Sequence, residues 1–300
     1  MRNIHSYAGH ACRIDRARPL LGTIVKIGIS GIDEADAYAR CDRGFAAVAH
    51  IHELMSFHEF ESDVSRLNRG ASIAPVSIDR HTATVIRLAL DIASASDGIF
   101  DITVAPKLVD WQLLPAPEGA PAPDPHATWR DIELVDSEHV RFHRPLWIDL
   151  GGIAKGYAVD VAIAAMKSDE SMQLHVNAGG DLRVAGPDSE RVLLQVPGHD
   201  ARELPMIELA AGSIASSSRR ETTQQVLDAG IGPHLHGVKR CAVGANEFAS
   251  VLAERCVIAD ALTKVALAAG PDAAPILARF EAQAFLHDQR NGWRTFGYES

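Results

Sequence analysis

The sequence predicts a mixed α/β or α+β fold of two intimately packed lobes. Three observations carry this. Strand-like and helix-like segments alternate without the strict βαβ rhythm of a doubly wound sheet. The chain has 300 residues, more than one typical domain, with no repeat at a fixed period. Its composition, 47% hydrophobic and 23% charged, is that of a globular protein able to bury a substantial core.

The elements follow in order. LGTIVKIGIS (21–30) alternates apolar and polar residues and ends at glycine, as a strand does. Residues 34–57 place Phe45, Val48, Ile51, Leu54 and Met55 on a helical stripe. Ser62 is positioned to cap the short turn DVSRLN. VIRLALDIASAS (85–96) is an amphipathic helix that stops at Asp97-Gly98, and a strand is expected beyond Asp101. Five prolines between 115 and 125 make that stretch an extended loop. Short strands are predicted at 132–135 and 139–142. LHVNAGGDLRVAG (174–186) reads as strand, glycine turn, strand. RVLLQV, MIELA and SIASSS add three short strands, and CVIADALTKVALAAG (256–270) runs from an apolar strand into a helix.

The net charge of −10 excludes attraction of nucleic acid or anionic lipid by overall charge, so an anionic ligand needs a local site. Cysteines 12, 41, 241 and 256 have no zinc or redox spacing, which suits free thiols in a reducing compartment. No signal peptide is visible before Cys12, and no run approaches a membrane span. A cytoplasmic protein without nucleic-acid or membrane partners is expected.

The chemistry concentrates at IDLGGIAKGYAVD (148–160), where glycines and Lys155 at a helix start favour an anion while Asp149 suits sugar hydroxyls or a ring amide. A tight structural turn with a surface lysine explains the same residues. In DGIFDITVAP, Asp101 is either a ligand or a cap, and Gly179-Gly180-Asp181 reads as a hairpin turn. SIASSSRRE lacks a nearby base, so no serine nucleophile is read there. His234 and His236 are too few to specify a metal. Asp260 and Lys264 stand one helical turn apart, as an ordinary ion pair would.

Taken in order, LLGTIVKI, LMSFHEFESDVSRLN, SDGIFDITVAP, IDLGGIAKGYAVD, VNAGGDLRVAG, SIASSS and VIADALTKVALAAG resemble the motifs of the ApbE family, the FAD:protein FMN transferases. The resemblance implies one domain over 17–285, with an N-terminal extension (1–16) and a C-terminal tail (286–300). It implies a T-fold-like architecture with FAD in the cleft between two lobes. The reaction it implies is magnesium-assisted transfer of FMN from FAD to a threonine or serine of an acceptor protein, releasing AMP. Leu21, His58, Ile99, Phe100, Asp101, Asp149 and Lys155 fall on its FAD-contacting positions. Gly152, through its carbonyl, and Asp260 fall on its magnesium positions, and His234 on its transfer histidine.

Two of these motifs depart from the family pattern. Lys264 stands where a threonine hydroxyl would help hold magnesium, and HLHGVKR replaces a loop that usually carries an Asp-Pro pair. The FAD-contacting motifs are kept better than the others. Two alternatives therefore stand beside transfer: a non-catalytic FAD-binding protein, or an FAD pyrophosphatase giving FMN and AMP.

Overall fold

The computed structural model describes residues 13–167, 171–218, 231–243, 248–288 and 290–298. Most of the extension expected at 1–16, and the last two residues of the expected tail, lie outside them, as do residues 219–221 of SIASSSRRE.

Eight strands form one sheet: β1 (Ile14–Leu20), β2 (Thr23–Ser30), β3 (Gln173–Ala178), β4 (Asp181–Ala185), β5 (Gly212–Ser218), β6 (Phe248–Ala253), β7 (Gln283–Asp288) and β8 (Gly292–Gly297). They lie in chain order across the sheet, and every neighbouring pair is antiparallel. The mixed reading thus resolves to α+β on a sequential meander.

The helices are α1 (Glu34–Met55), α2 (Asp63–Gly70), α3 (Arg80–Ala95), α4 (Ala105–Asp110), α5 (Ala154–Met166), α6 (Cys256–Ala269) and α7 (Ala274–Arg279). All of α1 to α5 is inserted between β2 and β3. Helices α1, α5 and α6 lie side by side on one face of the sheet, with α5 between the other two. Successive strand residues point to opposite faces. Ala215 and Ala249 therefore join the large core under these helices, while their neighbours Ile214 and Phe248 join a smaller core on the other face. A separate ribbon, residues 190–193 paired with 206–209, borders that second core.

Several expectations are corrected. The strand at 21–30 begins at Thr23, because Leu21 (φ 55°) and Gly22 (φ 68°) form the turn of the β1–β2 hairpin. Strand β1 straddles the expected domain start at 17 and shows no strand pattern in the sequence, because it is a sheet edge carrying Asp15, Arg16 and Arg18. Arg16 and Arg18 both pair with Asp42 of α1. Residues expected in a C-terminal tail form the end of β7 and all of β8. Past Asp101 the chain enters a 3₁₀ turn (Ile102–Val104) and α4 rather than a strand. The whole of 256–269 is helical, and the strand precedes it. α6 is buried on nearly every side, which erases the periodicity that marks a helix. α3 starts five residues earlier than its apolar stripe, at the Asp79 cap.

The last residue of the long glycine motif explains how α6 is anchored. No side chain of its own caps α6. Instead Asp160, from α5, accepts the N–H groups of Cys256 (3.0 Å) and Val257 (3.0 Å), and the Arg183 guanidinium (2.5 Å). These N–H groups have no partner within the helix, and a carboxylate complements the positive end of its dipole. Asp160→Asn keeps the shape but loses the charge. It should lower unfolding free energy by about 1.5–3 kcal/mol, read from urea denaturation with the slope unchanged. A loss under about 0.5 kcal/mol would mean that α6 is held by packing alone.

Candidate functional site

The glycine motif is pinned before its helix starts. Ile148–Leu150 runs extended but joins no strand ladder. The Asn68 side chain of α2 accepts from Ile148 N–H (2.8 Å) and donates to Ile148 C=O (3.1 Å). Asp149 N–H donates to the Ile102 carbonyl (2.8 Å). Three of the sequence motifs are thus bonded to one another. α2 itself is set by Ser62, whose Oγ accepts from Ser65 N–H (3.0 Å) as expected. Asp149 folds back to accept from Gly151 N–H (3.0 Å). Desolvation in the groove holds its carboxyl above the usual range, against the pull of that N–H, His58 and Lys264.

In the first turn of α5, Lys155 Nζ bonds Asp181 Oδ2 at 2.6 Å and lies 3.8 Å from Asp260 Oδ2. Asp260 is fully buried on α6. Its Oδ1 bonds the Lys264 ammonium, and its Oδ2 accepts from Gly156 N–H (3.0 Å). Gly156 allows this approach: a Cβ there would lie 2.4 Å from the Cys256 carbonyl oxygen and 2.7 Å from Asp260 Cβ. Burial pushes Asp260 up, but the two lysines outweigh it and hold the carboxylate ionised below its usual range. Asp181 goes the other way, to about 6, because burial and nearby Asp260 outweigh Lys155. Burial opposes the Lys155 charge, yet the two carboxylates raise its pKa further.

The opposite wall comes from DITVAP and the segment around His234. Asp101 caps the 3₁₀ turn by accepting from Thr103 N–H (2.8 Å), and its other oxygen takes Arg240 Nη2 (2.8 Å). Burial raises its pKa, against Arg240. Gly237 brings the two segments together, donating N–H to the Ile99 carbonyl (2.9 Å) where a Cβ would meet the Gly98 carbonyl oxygen at 2.2 Å. His234 Nε2 lies 3.2 Å from the Ser218 carbonyl. A carbonyl only accepts, so the proton is assigned to Nε2, and Nδ1 carries a lone pair with no partner among the described residues. Burial, then the Lys264 charge, push the His234 pKa down to about 4.

Between these walls lies a cavity of about 330 Å³ lined by Ile99, Phe100, Asp101, Asp149, Gly152, Lys155, His234 and Lys264, among others. A second hollow of about 340 Å³ adjoins it and is lined by Leu21, His58, Phe57 and Leu114. Asp149, Gly151 and Lys155 border both, so the two make one groove. Leu21, His58, Ile99, Phe100, Asp101, Asp149, Gly152, Lys155 and His234 therefore meet around one space. Asp260 sits beneath it, behind the lysines. Asp181 and Arg240 were missed as functional residues. The first reads as a turn residue in GGD, and the second pairs across 139 positions of sequence with Asp101.

The donor set around Asp260 does not fit a divalent ion as it stands. Lys264 and Gly156 engage both carboxylate oxygens, and a protonated lysine has no lone pair. Thr263 is turned away, donating to the Asp260 carbonyl (2.7 Å) and paired with Ser217 Oγ (2.8 Å).

The ApbE family pattern matches residues 21–286. The chain is 27% identical over 180 residues to the FAD:protein FMN transferase of Vibrio cholerae, covering 56% of this chain and 54% of that one. It is 25% identical over 193 residues to the protein of that name in Salmonella typhimurium, covering 59% and 55%. The chain thus spans about half the length of the curated relatives it matches. A crystal structure of the ApbE protein of Thermotoga maritima superposes with a TM-score of 0.81 at 24% identity, covering 96% of this chain and all of that one. The flavin transferase ApbE of Vibrio cholerae gives 0.81 at 21% identity, with 97% and 98% covered.

The His234 environment yields a pH prediction. The folded state holds this ring neutral down to about pH 4, whereas an unfolded histidine takes a proton near 6.5. Its stabilisation is therefore complete above about pH 6.5 and lost as pH falls towards 4, by up to about 3 kcal/mol. Asp181 contributes with the opposite sign, so the comparison must be between the protein and His234→Gln. The variant should lose the acid-side slope, and the ring should titrate by NMR near pH 4. A midpoint near 6.5 would show the ring to be solvated.

Proposed function

The chain belongs to the ApbE family, and from that premise we propose that it transfers FMN from FAD to a serine or threonine hydroxyl of an acceptor protein. The acceptor oxygen bonds to the phosphorus on the FMN side, and the anhydride bond to the AMP phosphate breaks. AMP leaves with the bridging oxygen, and the hydroxyl proton passes to a base. The observation that supports this reading is the convergence of the motif residues on one groove with an aromatic and aliphatic wall and two ammonium groups. Such a groove suits a ligand with a ring at one end and a diphosphate in the middle.

In this reading Leu21, His58, Ile99, Phe100 and Asp149 hold the rings and sugars of FAD. Lys155 and Lys264 face the diphosphate and neutralise charge that builds on the leaving phosphate. Asp101, held by Arg240, fixes the segment that carries His234. His234 offers its Nδ1 lone pair to the acceptor hydroxyl. The family's magnesium, expected on Gly152 and Asp260, is replaced in this reading by the Lys264 ammonium, so no step runs through a metal. A cytoplasmic location belongs to the same proposal, supported by unpaired thiols at Cys41, Cys241 and Cys256.

The test is incubation with FAD and a candidate acceptor. AMP release with flavin fixed covalently on the acceptor is expected. AMP with free FMN would mean hydrolysis, and bound, unchanged FAD a binding protein. FAD affinity should change less than about twofold between magnesium and chelator. Lys264→Ala should weaken it about tenfold, equivalent to about 1.4 kcal/mol, and Lys264→Thr should make it magnesium-dependent. Strong magnesium dependence in the unaltered protein, surviving Lys264→Ala, would show that Lys264 does not stand in for the ion.

A further inference from the structure

Among the described residues, one group of three side chains has metal-ligating atoms that all lie within 4.8 Å of one another: His50, Asp79 and His81. None of the three lines the groove. His50 is an exposed residue of α1, Asp79 is the N-cap of α3, and His81 is in the first turn of α3. The two imidazoles meet edge to face, with ring centroids 6.0 Å apart. Two elements that are far apart in sequence thus bring nitrogen, nitrogen and oxygen donors to one point.

The hydrogen bonds around the group hold Asp79 and His81 in place. Asp79 Oδ1 accepts from His81 N–H (2.7 Å) as a helix cap, which leaves its second oxygen for another partner. His81 Nδ1 lies 2.8 Å from the Tyr157 hydroxyl. That nitrogen is engaged by the hydroxyl whichever of the two groups donates. When Nδ1 donates, Nε2 is the unprotonated nitrogen, on a ring held in place by its other nitrogen. A histidine that ligates a metal is ordinarily fixed in this way, by a partner on the nitrogen that does not ligate.

We propose that His50, Asp79 and His81 form a binding site for a divalent transition-metal ion of the zinc class. Two imidazoles and one carboxylate suit such an ion and not magnesium, which takes oxygen donors and keeps its waters. Three protein ligands leave a fourth position for water. The ion would fasten α1 to α3 and, through Tyr157, to α5, the helix that carries Lys155. Its role is to brace the helices behind the groove, not to take part in the reaction.

The probe is zinc chloride, titrated by calorimetry into the full-length, tag-free protein, with cobalt(II) absorbance as a second readout. One equivalent per chain is expected with micromolar affinity. Zinc should raise Tm by about 5 °C when well above its dissociation constant. His50 is exposed, so His50→Ala leaves the fold intact; it should weaken zinc binding at least about tenfold and abolish the Tm rise. His143→Ala, an exposed histidine elsewhere, should change neither. No uptake at roughly millimolar zinc, where binding is worth only about 4 kcal/mol, would overturn the proposal. So would one equivalent bound equally well by His50→Ala, since the ion would then rest on other donors.

Discussion

The structure is organised around one buried carboxylate. Asp260 sits with no solvent exposure in the middle of an apolar helix, where an unpaired charge would cost several kcal/mol. Its compensation comes from three directions: Lys264 from the next turn, Lys155 from α5, and the Gly156 N–H. The last requires the α5 backbone to approach α6 closely, which glycine at 156 permits. The same contact puts Asp160 at the start of α6. Three residues of one motif, Lys155, Gly156 and Asp160, thus neutralise, admit and cap the same partner helix. The motif is as much a helix–helix joint as a ligand loop.

That joint explains why the groove has its shape. α5 can start only where Ile148–Leu150 delivers it, and that segment is fixed by Asn68 and by the Ile102 carbonyl. The segment carrying His234 is fixed in turn by Gly237 against residues 98–101 and by Arg240 on Asp101. Each wall is therefore anchored by a polar side chain or a close backbone approach, and the ligand-facing atoms are those left over.

The sequence made much of this legible. Helix α1, the Ser62 cap, the short strands Ile132–Leu134 and His139–Phe142 and the strand–turn–strand at 174–186 follow from periodicity and turn chemistry, which are local. The residues bordering the groove were found because they sit in motifs of distinctive wording, although each alone was ambiguous. What stayed hidden depended on partners remote in sequence. Edge strand β1 lacks an apolar stripe because its arginines answer to Asp42. The helical start of α6 was read as a strand because Cys256, Val257 and Ile258 are all buried. Asp181 looked like a hairpin residue because its reason, Lys155, lies 26 positions upstream. Asp101 is the expected cap through one oxygen, while its other oxygen pairs with Arg240, a partner its own segment could not reveal.

The depth at which charges are placed resolves a tension between the chain's net charge of −10 and a groove suited to an anion. Four carboxylates (Asp101, Asp149, Asp181 and Asp260) stand in or behind the groove with two ammonium groups, yet the charges are not equally placed. The side chains of Asp260 and Asp181 are 0% and 1% exposed, whereas those of Lys264 and Lys155 are 12% and 32% exposed. Within these two ion pairs the cations stand in front and the anions behind, although Asp101, paired with Arg240, and Asp149 also line the cavity. A group entering beside the lysines meets their charges at shorter range than those of Asp260 and Asp181. His234 reports the result from within the protein. It lies at the cavity wall, and after burial the charges that push its pKa towards 4 are Lys264 and Lys155, with Asp260 only a weaker opposing influence. At His234 the two lysines therefore outweigh Asp260. An anionic ligand there would relieve that field and raise the basicity of His234, so that the ring becomes a better proton acceptor when the groove is filled.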